Sequence, residues 1–503
     1  MTGSPRPDHD PAAPHTPGRA DPNFYREIRT EVFDARLWLD RAIVLAYGAL
    51  AGLVVVLFTL MIDWAFRLFG VLEGRAPWLL PLWTPLLTAG IVWLTRRHAA
   101  MSAGSGIPQV IAAQDEALDD AGQRWFVSLR LAVAKLLLAT LGFAAGLSIG
   151  KEGPSVQIAA GVMQHSRRWL GARGISPRAL LVAGGAAGIA AAFNAPLAGV
   201  VFAFEELSRG MEARYSGVVI AAIVLAGLMG VSVFGDKAYF GAIAAAPPGW
   251  HLLLPGLTVT VAVGLLGGLF AKLMIATLAV GPVRGRPPRW AGPLRRLSAW
   301  RYRWPIRFAA AMGLVVTLIG LAAQGSTFGS GVAPATQLLH GQAPPGALAF
   351  GPLKFLTTWL TAWSGVPGGI FAPSLATGAG IGYDVARLWG DGGDTALIAI
   401  GMTGFLAAVT QAPITSFLIV MEMIDGRPLV LSLMAVAMLA AAISRMISRP
   451  LYATLAVSML AQFKSRHVWV EPPAAPPADA DAAPASAAAS PESATTPPAP
   501  PSP

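Results

Sequence analysis

The chain is 503 residues long and has no cysteine, 54 % apolar residues and 13 % charged residues, against roughly 25 % charged in soluble domains. That composition excludes an ordinary cytosolic enzyme, a disordered protein and a disulfide-stapled secreted domain, and leaves a polytopic α-helical membrane protein. The 37 Lys and Arg outnumber the 27 acidic residues, an excess assigned to loops facing anionic lipid rather than to nucleic acid.

Residues 1–22 are Pro-, Asp- and His-rich without apolar periodicity and read as a disordered tail with no removable signal peptide. Residues 23–40 mix Phe24, Ile28, Val32 and Leu37 with many charges, the pattern of an amphipathic helix lying at the interface. A transport domain is expected over 41–463, in halves of about 41–235 and 250–463. It opens with the charge-free runs 42–62 and 76–95, each long enough for one span. Later runs such as 238–271 and 355–383 are too long for one span and too short for two, and 308–353 is longer still. They are cut at Pro247, Pro248 and Pro255, at Gly325, Gly329 and Gly331, and at Pro367, Gly368 and Gly369. Broken helices survive at membrane depth only where their free backbone lines a buried cavity, so tilted and interrupted helices are expected. The segment 284–307 holds eight Arg and no acid, which places it and both termini on the cytoplasmic side. Residues 464–503 read as an Ala/Pro-rich tail.

Two segments recur. Ala195-Pro196, with Glu205 ten residues after the Ala, matches Ala412-Pro413 with Glu422, an offset of 217. Gly150-Lys151-Glu152-Gly153-Pro154-Ser155 matches Gly369-Ile370-Phe371-Ala372-Pro373-Ser374 at an offset of 219. Two matches in the same order imply a duplicated architecture, parallel or inverted, with the site at the repeat interface near the bilayer midplane. Both hexapeptides read as helix starts, with Pro154 and Pro373 at the first helical position. Helix starts present unpaired N–H groups and the positive end of the dipole. Two of them converging in a low-dielectric core make an anion site that binds through partial charges, and so also releases its ion. Gly104-Ser105-Gly106-Ile107-Pro108 has the same form and adds a hydroxyl donor.

These residues resemble the CLC family of chloride channels and chloride/proton exchangers, of the bacterial type without CBS domains. The three signature segments occur in order: GSGIP at 104–108, GKEGP at 150–154, and GIFAP at 369–373. GIAAAFNAPLAGVVFAFEE at 188–206 and PLY at 450–452 are also similar to the family, and the resemblance spans about 40–463. It implies an all-α fold of two inverted repeats and a homodimer. It implies that Ser105 and Tyr452 donate hydroxyls to chloride and that the N–H groups of Ile370 and Phe371 complete that site. Glu152 is then the outer gate, a tethered carboxylate competing with chloride, and Glu206 the inner proton-transfer acid, with Glu205 beside it. Gly104, Gly106, Pro108, Gly150, Lys151, Gly153, Pro154, Gly369 and Pro373 supply the supporting motif positions. Position 151 is Lys where many members carry Arg, which leaves its pairing open. Ser at 105 rather than Pro goes with chloride over nitrate, and Glu at 206 with exchangers rather than channels.

The implied activity is chloride/proton antiport across a bacterial-type inner membrane, with an uncoupled anion channel of the same fold as the alternative. Chloride and protons are the only partners besides lipid and a second copy. No cofactor, metal or nucleic acid is expected, since no His lies beside the motifs and no Walker loop, catalytic triad or HExxH occurs. An enzyme using Glu152 and Glu206 as an acid pair lacks any nucleophile or metal set. Elsewhere, Glu205 reads as a solvated interface charge, Glu422 as a structural acid with a local donor, and Lys135 and Lys354 as snorkelling cations.

Overall fold

The structure, a computed structural model, describes residues 35–171, 175–208, 216–235, 238–243, 249–279, 291–390 and 394–466. The expected tail at 1–22, most of the expected interfacial helix, and 467–503 lie outside the described residues. Residues 35–40 belong to the first long helix.

The described chain is almost wholly helical. The first half holds α1 (Ala35–Arg75), α2 (Leu80–His98), α3 (Ile107–Ala112), α4 (Asp120–Phe126), α5 (Leu129–Ala144), α6 (Glu152–His165), α7 (Pro177–Phe193), α8 (Pro196–Phe202) and α9 (Ser216–Phe234). The second holds α10 (Leu253–Leu278), α11 (Ala291–Arg303), α12 (Pro305–Ala322), α13 (Val332–Leu339), α14 (Ala347–Ser364), α15 (Phe371–Leu388), α16 (Thr395–Thr410), α17 (Pro413–Ile424), α18 (Val430–Ile447) and α19 (Leu451–Arg466). Seven helical stretches among the described residues are long and apolar enough to cross a bilayer, and large apolar side chains on them face outward. The molecule is therefore a multi-span membrane protein.

The helices break where the apolar runs are cut. Gly325, Gly329 and Gly331 fall between α12 and α13, and 367–369 between α14 and α15; Pro255 is instead tolerated in the first turn of α10. Pro247 and Pro248 lie outside the described residues. Pro154 and Pro373 are each the third residue of their helix rather than the first, still within the first turn, where a missing N–H costs no intrahelical bond.

The halves are copies at the level of caps and packing. Among the described residues, the pairs α6–α7 and α15–α16 are the two most extensively packed. Ser176 caps α7 and Asp394 caps α16, each side chain accepting an N–H of the first turn. Both helices end on a left-handed residue, Asn194 at φ 56° and Gln411 at φ 59°, which turns the chain into the Ala-Pro starts of α8 and α17. Gly150 and Gly369 exchange both backbone hydrogen bonds at 2.8 Å as an antiparallel bridge. The repeat axis passes between them, and α6 and α15 leave that point in opposite directions. The repeats are inverted.

Arginines gather at one face. Arg130 donates to the His98 carbonyl at the end of α2, Arg301 to the Thr277 carbonyl near the end of α10, and Arg167 pairs with Asp120 of α4.

Candidate functional site

The three Gly-rich segments form one backbone knot at the core. Besides the Gly150–Gly369 bridge, Gly104 N–H donates to Val366 O at 3.2 Å and Gly368 N–H to Gly104 O at 3.0 Å. Glycine is required twice for separate reasons. Gly106 has φ +113°, and a Cβ there would meet Gly153 O at 2.6 Å. At Gly153, a Cβ would collide with the Ser105 hydroxyl.

The predicted site residues meet around this knot. Glu152, first residue of α6, is fully buried. Its Oε2 accepts from Ala372 N–H at the start of α15, at 3.4 Å. The N–H groups of Ile370 and Phe371, expected to complete the chloride site, lie at the same helix start, immediately before this donor. The Tyr452 ring stacks on Phe371, centroids 6.0 Å apart and planes at 14°, and Tyr452 and Ser105 line the same cavity. Ser105 Oγ, Tyr452 OH and Glu152 Oε1 are all buried without a protein hydrogen-bond partner. Buried polar atoms in that state cost about 1–3 kcal/mol each unless a ligand serves them. Two hydroxyl donors and a helix start suit a monovalent anion.

Two cavities approach this centre. One, of about 400 Å³, is lined by Ser105, Ile370 and Tyr452 and reaches Arg96, Arg301 and Gln462. The other, of about 540 Å³, is lined by Glu205, Glu206, Glu116, Arg178, Gln411 and Arg445. They lie on opposite faces of α19. Tyr452, Leu455, Met459 and Gln462 face the first, and Ala453, Ala456, Val457 and Leu460 the second. Glu206 is thus half-buried in a chamber separated from Ser105 and Tyr452 by one helix. It sits in a π-helical turn, Ala203–Leu207, that continues α8; such turns re-aim side chains.

Four sequence-based expectations are corrected. Glu422 bonds no local donor: it accepts from Leu197 N at 3.2 Å and Ala198 N at 2.7 Å, in the other repeat. Glu205 is no solvated interface charge, because it accepts from Ile414 N at 3.1 Å and Thr415 N at 2.6 Å. Each carboxylate caps the partner repeat's helix start. Lys135 and Lys354 do not snorkel; both are 0 % exposed. Lys135 Nζ donates to the carbonyls of Ser102 (2.7 Å) and Gly104 (2.6 Å), and Lys354 Nζ to those of Thr327 (2.9 Å) and Gly329 (2.7 Å). The 219-residue offset links these lysines, and the recurrence of Gly104-Ser105-Gly106 as Gly329-Ser330-Gly331 was the missed signal. Lys151 lies over the Tyr239 ring, 5.1 Å from its centroid.

Comparison with known proteins identifies the family. The family model for the voltage gated chloride channel matches residues 86–445. The H(+)/Cl(−) exchange transporter ClcA of Cronobacter sakazakii is 32 % identical, covering 82 % of this chain and 88 % of its own length. ClcA of Klebsiella pneumoniae is 30 % identical with the same coverage. Among solved structures, a slow cyanobacterial Cl−/H+ antiporter superposes with a TM-score of 0.70 at 22 % identity, over 84 % of this chain and 98 % of that one. A CLC-type fluoride/proton antiporter gives 0.67 at 22 % identity, over 83 % and 98 %. The fold is the one these transporters share, and the chain belongs to the voltage gated chloride channel family.

Proposed function

We propose that the protein is a chloride/proton antiporter in which chloride and the Glu152 carboxylate compete for one anion site. The observation that carries this is the Glu152 carboxylate held by Ala372 N–H, beside the unpartnered hydroxyls of Ser105 and Tyr452. A carboxylate and a chloride are both monovalent anions served by the same donors. Protonating Glu152 removes its charge, weakens its hold on the N–H, and frees the donors for chloride. Proton uptake is thereby tied to anion entry. A hydrogen bond to a charged group contributes about 1.5–3 kcal/mol, enough to hold the gate yet small enough for chloride to displace it.

Exchange requires a proton route apart from the anion route. The chamber holding Glu206 supports it, because α19 stands between that chamber and the one bounded by Ser105 and Tyr452. We read the arginine-rich face as the cytoplasmic side of an inner membrane, with both chambers opening toward it and the termini on the same side as part of this proposal. The cycle uses chloride and protons only, in a homodimer whose subunits each hold a complete site.

The test is flux in proteoliposomes. Chloride efflux should drive proton uptake against no applied proton gradient. Chloride flux with no proton movement would favour the uncoupled channel, the reading that leaves Glu206 without a role. Crosslinking in native membranes at about twice the subunit mass is the expected sign of the dimer.

A further inference from the structure

We infer that the protein carries a binding site for an anionic phospholipid at the arginine-rich face, outside the transport pathway. A cavity of about 300 Å³ lies where α4, the start of α5 and the end of α6 meet, and Arg124, Arg167, Arg168 and His165 line it. Its one acid, Asp120, is engaged by Arg167, so the pocket keeps a positive excess toward a phosphate. Gln164 lines the same pocket, is 91 % buried by its 9 % exposure, and has a side-chain oxygen without a partner. Trp125 and Trp169, both exposed, directly follow Arg124 and Arg168 in sequence and mark the headgroup level of the bilayer.

A second feature decides between a lipid and a small anion. Leu129 lines the pocket and heads an exposed apolar row, Leu129, Val133, Leu137 and Leu141. At a spacing of four residues these fall on one face of α5 and run from the pocket toward the membrane interior. A phosphate among the arginines with an acyl chain along this row matches both the charge and the apolar surface. Basic pockets between helices on this side of a membrane recognise such headgroups.

The test uses the full-length protein, delipidated and offered equal phosphatidylglycerol and phosphatidylcholine, with bound lipid read by native mass spectrometry. The wild type should retain phosphatidylglycerol. Arg124→Gln with Arg168→Gln should lower that preference about thirtyfold, the weight of two interfacial arginines, while chloride flux persists. The double variant Arg303→Gln with Arg449→Gln, taking the same charge from residues outside this pocket, should leave it unchanged. Equal loss in both double variants, or no preference in the wild type, overturns the proposal. Full displacement of the lipid by 10-millimolar-scale glycerophosphate, roughly the level that swamps a weak anion site, also overturns it, since the acyl row would then contribute nothing.

Discussion

Lys135→Met tests whether the buried lysine positions Ser105 or only fills space. Methionine keeps the length of the side chain and removes the ammonium. Two bonds are lost, to Ser102 O at 2.7 Å and Gly104 O at 2.6 Å. Gly104 O keeps Gly368 N–H at 3.0 Å, so the carbonyl left bare is that of Ser102. One orphaned buried carbonyl costs about 1–3 kcal/mol, and no longer burying a charge offsets part of the gross loss of two charge-assisted bonds. The expected net destabilisation is about 2 kcal/mol. Lys354→Met removes the same pair of bonds around Gly329 and should destabilise equally. Chloride affinity separates the two. A hydroxyl bond to chloride contributes about 1.5–3 kcal/mol, ten- to a hundredfold in affinity. Loosening the loop that carries Ser105 should cost about tenfold, whereas Lys354→Met should leave affinity unchanged. Thermal denaturation in detergent and calorimetric chloride titration on both variants provide the readouts. Equal affinity losses, or none in Lys135→Met, would refute a positioning role.

Further outcomes follow from the same geometry. Glu152→Gln abolishes the competing charge, so chloride should flow with no proton movement; retained coupling in the flux assay would remove Glu152 as the gate. Glu206→Gln should keep chloride flux and lose proton transport, and a coupling ratio equal to wild type would place the inner acid elsewhere on that chamber. Glu422→Ala strips the acceptors from Leu197 and Ala198 N–H. It should cost about 1–3 kcal/mol in denaturation with the coupling ratio intact; a changed ratio would mean this cap takes part in transport.

The helix starts and the core glycines were legible because their signals are local: Gly then Pro, within a few residues. The breaks at 325–331 and 367–369 were equally visible in the chain. What stayed hidden needed a partner far along the sequence. Lys135 reads as a lone cation in an apolar run, because its acceptors are backbone carbonyls 31 and 33 residues away and any residue type supplies a carbonyl. Glu422 and Glu205 find donors 209 to 225 residues away, a pairing that only the inverted arrangement creates. That Ala372 N–H is the donor to Glu152 depends on helix phase to within one residue, beyond what a motif specifies.

Where the repeats agree and where they part bears on the proposed roles. The caps Glu205 and Glu422 and the lysines 135 and 354 are matched in residue and in bonding, as parts that only hold the fold together should be. The mismatches fall elsewhere. Glu152 corresponds to Phe371 at an offset of 219, and Glu206 to Met423 at 217. The turn around Glu206 is π-helical, whereas α17 runs as an α-helix through Met423 to Ile424. Ser105 and Ser330 match in sequence but not in use: Ser330 Oγ accepts from Val332 N at 3.4 Å, while Ser105 Oγ has no partner in the protein. Lys151, buried beside Glu152, likewise corresponds to the apolar Ile370. A symmetric scaffold has no energetic reason to lose its symmetry at such polar positions. Departures from local consistency concentrate where function requires them. Here they fall on the proposed gate and the lysine next to it, the proposed proton acid and the hydroxyl proposed to serve chloride. If restoring symmetry with Glu206→Met gave a stable protein that still exchanged protons for chloride, the mismatch would have to be drift, and the division of the two halves into scaffold and machinery would fail.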